Sequence, residues 1–210
     1  MGGPSCSMNV LVALLLILQF STVVNPTSDN TTTPLLCKAD TKYIRRSCRL
    51  TTYPKLCYNS LSIFAGKIKT DSRLLAHAAL NVSLGAAIAT SVTMNRLSRI
   101  NGLNPIVAAA VQDCVELIDD SVYELKNSVS ELGRARRSQG PDFELQMNNI
   151  QTWASAALTD ADTCMDGFGE RNMNGRVKNA VRRHIVKVEH LTSNALALIN
   201  NYVSAKSASP

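Results

Sequence analysis

Three scarcities narrow what this chain can be. Aromatic residues are 5% of its 210 positions. None interleaves with the densest basic run, Arg134, Arg136 and Arg137, so bases have no stacked rings to bind and nucleic acid is set aside. Recognisable catalytic spacings are missing as well: there is no Gly-rich phosphate loop, no Gly-x-Ser-x-Gly elbow and no zinc-type Cys/His pattern. Finally, no segment alternates apolar and polar residues in the manner of a strand.

Cationic residues are missing from the amino terminus, where no Lys or Arg precedes Lys38. The apolar run from Met8 to Val24, "MNVLVALLLILQFSTVV", reads as a secretory signal peptide whose positive region is reduced to the terminal amine. It reaches the lower limit of a membrane span, roughly 17 residues, so a retained anchor is the alternative. With cleavage between Thr22 and Asp29, the expected map is a leader over 1–28, a Thr-rich flexible tail over 29–40 and one folded domain over 41–205.

Removing the leader removes Cys6 and leaves Cys37, Cys48, Cys57, Cys114 and Cys164 as disulfide candidates in an oxidising compartment. Sequons at Asn30 and Asn81 suit that compartment, provided Asn81 faces solvent. The formal charge of +6 suggests residence near anionic polymers.

Apolar residues recur at alternating steps of three and four through four long segments, which is helical periodicity. Helix A covers about Ser72–Ile100, with Leu75, Ala79, Val82, Ala86, Ala89, Thr93, Leu97 and Ile100 on one stripe and Asn101-Gly102 as its stop. Helix B starts from Asn104 as cap with Pro105 first, and Gly133 closes it. Helix C spans Pro141–Asp166, and helix D Gly175–Val203. Ahead of them, two short helical pieces flank Thr51-Thr52-Tyr53-Pro54. Short connections make neighbours antiparallel, so the expected fold is all-α: an up-and-down four-helix bundle preceded by a short helical hairpin.

Cys48 and Cys57 straddle the hairpin turn, where a bridge would staple it. Cys114 and Cys164 are equidistant from position 139, inside the B–C loop. Both helices rise about 1.5 Å per residue, so the two thiols meet at one level on core-facing stripes. On the chain-entropy estimate the long bridge stabilises by about 4 kcal/mol and the short one by about 2.7 kcal/mol. Cys37 is left as a free thiol or an intermolecular link.

The stretch "TWASAALTDADTCMDGF", Thr152 to Phe168, sets Cys164 among Asp160, Asp162 and Asp166. Calcium-loop spacing fails. Begun at Asp160, the loop has Cys164 and Met165 where an acid and Gly belong; begun at Asp162, it has Met173 in place of the bidentate Glu. Paired Glu-x-x-His motifs are absent. A nucleophilic Cys164 would need an activating His, yet His77, His184 and His190 lie on other helices. Asp119 and Asp120 point about 100° apart on a helix and read as solvated surface. No enzyme and no cofactor are expected.

Four features occur together and in order: "CRLTTYPKLC", "DCVELIDDSVYEL", "TWASAALTDADTCMDGF" and "VEHLTSNALALIN". Their combination resembles the plant invertase and pectin methylesterase inhibitor family over about Thr41–Val203. The resemblance implies the same bundle, hairpin and two disulfides. It implies a secreted protein of the cell wall that inhibits pectin methylesterase by a non-covalent one-to-one complex across the pectin-binding cleft. Weak electrostatic contact with acidic pectin is a further expectation, and no membrane contact is expected after leader cleavage.

By the same resemblance Thr163, which precedes the helix C cysteine, lies over the enzyme active site. Asp162 and Asp160 border it, and Glu116 and Asp120 match acidic positions of the helix B motif. Invertase inhibitors of the family carry Pro-Lys-Phe where this chain has Pro141-Asp142-Phe143, which favours the methylesterase branch. Acid invertase inhibition and a membrane-tethered helical interaction protein are the alternatives. The Ala-rich stripes of helices A and C speak against a ligand cavity. The family also includes pro-regions of methylesterases, a reading disfavoured here because no catalytic domain follows before Pro210.

Overall fold

The computed structural model of the chain describes residues 32–135, 139–169 and 175–207. Its elements are α1 (Thr32–Cys48), α2 (Pro54–Leu61), a 3₁₀ turn at Ser62–Phe64, α3 (Ala65–Ile68), α4 (Ser72–Leu97), α5 (Pro105–Arg134), α6 (Gly140–Asp166) and α7 (Arg176–Ser207). No strand occurs among the described residues. The four long helices form a closed ring, α5 packing on α4 and α6, and α7 on α4 and α6. This is the expected four-helix bundle with a helical hairpin ahead of it. The leader, Asn30, Arg136 and Arg137 lie outside the described residues, as does the side chain of Cys37. Residues 32–40, read from composition as tail, belong to α1.

The helix starts follow their capping chemistry. Asp71 accepts a hydrogen bond from the Leu74 amide at 2.9 Å, and Asn104 accepts one from the Ile106 amide at 2.9 Å ahead of Pro105. Each satisfies a donor that has no partner inside its own helix. Gly102 has the left-handed φ of 76° expected of the α4–α5 turn. The α4 helix nevertheless ends at Leu97, and the next residues tighten: the Arg99 and Ile100 amides donate to Arg96 and Leu97. At the other end of α5, Gly133 remains helical and the helix runs on to Arg134.

The core stripe of α4 departs from the apolar pattern. Buried positions are Leu75, Ala76, Ala79, Leu80, Ser83, Ala87, Thr90 and Met94, whereas Ala89 and Ile100 are exposed. Ser83 and Thr90 can sit inside because their hydroxyls donate to the carbonyls of Ala79 (3.1 Å) and Ala86 (2.8 Å). A hydroxyl that bonds back into its own helix carries no unsatisfied donor into the core. Apolarity alone therefore misplaces the stripe by one residue. Among the described residues α4 is also long and apolar enough to cross a membrane; here it packs within the bundle.

Both expected disulfides are present. Cys48–Cys57 joins α1 to α2 with Cα atoms 5.5 Å apart, and Cys114–Cys164 joins α5 to α6 at 4.8 Å. That close approach is possible because α6 presents Ala154, Ala157 and Ala161 to its neighbours, each fully buried. Ser121 on α5 reaches the Ala157 carbonyl at 3.2 Å.

The hairpin is docked by a residue that periodicity does not reveal. Asn194, 2% exposed within α7, accepts from the Tyr53 amide at 2.9 Å and donates to the Tyr53 carbonyl at 3.1 Å. Beside it, the His190 ring stacks on Tyr53 with centroids 3.6 Å apart.

Candidate functional site

Successive residues on α6 point about 100° apart, and the run from Asp160 to Cys164 divides accordingly. Ala161 and Cys164 face the core and are buried. Asp162 and Thr163 are exposed, and the Thr163 hydroxyl donates to the Thr159 carbonyl at 2.7 Å. The disulfide thus clamps the inner side of the helix end while the adjacent outer side stays free.

Asp160 takes a different position, half-buried against α5, with one carboxylate oxygen and one of Glu124 enclosed without a hydrogen-bond donor. Burial first, then the negative charge of Asp160, pushes the Glu124 carboxyl up to about 7. Burial also raises Asp160, although its hydrogen bond with Glu124 pulls the other way. Two carboxylates can hydrogen-bond only through a proton. Below about pH 7 the pair therefore holds one, on Glu124, and Asp120 one turn away adds a second negative charge to that of Asp160.

The expected site residues do not form one cluster. Asp120 and Asp160 meet around Glu124, which sequence reasoning overlooked. Glu116 is exposed one turn from Asp120 on α5. Asp162 lies on the opposite flank of α6, where its charge raises the carboxyl of Glu189 on α7, after burial of Glu189 itself. Thr163 stands on the outer ridge. No group of three or more His, Cys, Asp or Glu is arranged to hold a metal among the described residues.

A second feature escaped the sequence reading because it vanishes in the total charge. Helices α5 and α6 carry eleven acids against two basic residues, Lys126 and Arg134. Helix α7 carries six basic residues against Glu189 alone. Summing the charge segment by segment would have exposed the division; the chain-wide +6 conceals it.

The arrangement so far is a clamped, acidic helix pair with an exposed ridge. Residues 42–198 match the family model described as plant invertase/pectin methylesterase inhibitor. The chain belongs to this family. Among its relatives, pectinesterase inhibitor 11 of Arabidopsis thaliana is 42% identical over 194 residues, which cover 92% of this chain and 96% of the relative. Pectinesterase inhibitor 10 of the same plant is 46% identical over 164 residues, covering 78% of this chain and 52% of the relative. A crystal structure of a mutant pectin methylesterase inhibitor from Arabidopsis superposes with a TM-score of 0.58 at 21% identity, over 73% of this chain and 92% of that one. At that identity it speaks for the shared fold. The expectation of a non-enzyme agrees with the family, whose description and relatives name inhibitors.

Proposed function

We propose that the chain is a secreted cell-wall inhibitor of pectin methylesterase, which it binds one-to-one and without covalent chemistry. Its close relationship to pectinesterase inhibitor 11, running along nearly the whole of both chains, is the observation that carries this reading. The α5–α6 face is the docking surface in this proposal, with the exposed Thr163 over the enzyme cleft and the exposed Asp162 beside it, on the flank of α6 that faces α7. Glu116 and Asp120 flank them on α5, and Asp160 acts from the groove behind. Blocking is by occupation: an inhibitor lying across the cleft excludes the polymer, so no group on it needs to react. A strongly acidic face also steers encounter with a basic surface and orients the complex as it forms.

The core position of Phe143 favours methylesterase over invertase. It is 6% exposed and meets the Tyr202 ring edge-on at 5.7 Å. A Phe held there cannot reach into another protein's active site, and its neighbour Asp142 has the wrong charge for the Lys of invertase inhibitors. Asn81 is exposed on α4, as an N-linked glycan requires; we include it, with Asn30, as a glycosylation site.

Competition tests the mechanism. With soluble pectin in excess, formation of the complex should slow in proportion to the polymer's occupancy of the enzyme. A rate indifferent to pectin would place the inhibitor outside the cleft.

A further inference from the structure

The hairpin gathers positive charge that the enzyme-facing helices lack. From Lys38 to Leu61 it carries six basic residues and one acid, Asp40. Where α1 turns into α2, a cleft of about 390 Å³ is lined by Arg45, Arg49, Pro54, Lys55, Tyr58 and Asn59. Its three cationic residues are exposed. None is neutralised, since the one ion pair among the described residues is Glu131–Arg134 on α5. The Arg45 guanidinium lies over the Tyr58 ring, 4.2 Å from its centroid, which fixes that head at the cleft wall.

We propose that this cleft binds an acidic oligosaccharide, a run of uronate carboxylates like that left when pectin loses its methyl esters. The identity of the polymer rests on the function proposed above; the cleft's chemistry does not. Two guanidinium forks and an ammonium match carboxylates repeated along a chain, Arg being able to take a carboxylate through two parallel hydrogen bonds. The Asn59 amide can serve sugar hydroxyls in both directions. The exposed Pro54 offers apolar surface to the C–H face of a sugar ring. Methyl esterification removes the charge, so the site discriminates de-esterified polymer from its precursor. The hairpin packs on α4 and α7, whereas Thr163 is on α6, so the cleft shares no residue with the docking ridge proposed above. The molecule would then be retained where the enzyme has already acted.

The test measures binding of the full-length oxidised protein to polygalacturonate and to fully methylesterified pectin at moderate salt. Three proteins are compared: wild type, Arg45→Gln/Arg49→Gln/Lys55→Gln, and a charge-matched control on α7, Arg182→Gln/Arg183→Gln/Lys187→Gln. Wild type and the α7 control should bind polygalacturonate at least tenfold more tightly than the esterified polymer. The hairpin variant should lose at least tenfold. If it folds poorly, Arg49→Gln/Lys55→Gln keeps the Arg45–Tyr58 contact and should lose a smaller part of the affinity. Equal binding by wild type and the hairpin variants overturns the proposal, as does an equal loss in the α7 control or equal binding of esterified pectin. Inhibition of pectin methylesterase is assayed separately and should be unchanged in the hairpin variants. A wild type that binds polygalacturonate without inhibiting would sink the proposed function and leave the cleft standing.

Discussion

At the scale of single residues, the acids near Cys164 have separate duties. Below about pH 7 a proton on Glu124 joins it to Asp160 between α5 and α6, and its loss makes the fold itself sensitive to pH. The Glu124 carboxyl, at about 7, lies above the 4.5 of an ordinary glutamate. A raised acid favours the folded state fully below about pH 4.5, and that contribution is lost as pH rises through 7. Both groups are partly solvated, so the effect is on the order of 1 kcal/mol, well below the full shift. Glu124→Gln, which keeps a donor without the charge, should flatten the decline in melting temperature between pH 4.5 and 7.5. An unchanged slope in the variant would remove the shared proton from the account. Thr163→Trp should leave stability within about 0.5 kcal/mol, as ordinary surface changes do. It should nevertheless weaken inhibition of pectin methylesterase tenfold or more, or about 1.4 kcal/mol of binding. Wild-type inhibition by the folded variant would dismiss Thr163 as a contact. Asp162→Lys is the cleaner partner test, because a change at Asp160 also disturbs Glu124.

At the scale of elements, covalent and polar clamps hold what apolar packing positions. The Cys114–Cys164 bridge was legible because two antiparallel helices advance at equal rates, so a position count substitutes for a distance. Replacing both residues by Ser should cost about 4 kcal/mol on the chain-entropy estimate, read from chemical denaturation; a loss below about 1 kcal/mol would mean that the Ala-lined α5–α6 contact is sufficient alone. The hairpin's dock was not legible. Asn194 sits mid-helix, where sequence reading finds only a polar residue between apolar ones, and its partner Tyr53 is 141 positions away. Asn194→Ala leaves the part-buried Tyr53 amide and carbonyl without their partner, which should cost roughly 1–2 kcal/mol. The α4 stripe failed for a related reason: a Ser or Thr that bonds its own helix counts as polar in a pattern and as apolar in a core.

At the scale of the whole molecule, charge is segregated. Acid is concentrated on α5 and α6, while α7 and the hairpin are basic. Helix number, order and topology could be read from periodicity because each long segment repeats one signal many times. Charge segregation could not be read from a chain-wide sum, and the Asp160–Glu124 contact depends on the rotation of two helices against each other. The two faces are oppositely charged, and in the proposals above the α5–α6 face meets a basic rim and the hairpin an acidic polymer. Complex formation with the enzyme should therefore slow as salt rises, since steering by exposed charge is screened over about 10 Å at 0.1 M.

The most direct measurement is a titration of the oxidised protein into pectin methylesterase and, in parallel, into acid invertase, between pH 5 and 7. Methanol release should fall saturably and be lost completely at one equivalent, with invertase untouched. Loss of invertase activity with methylesterase intact would contradict the proposed function.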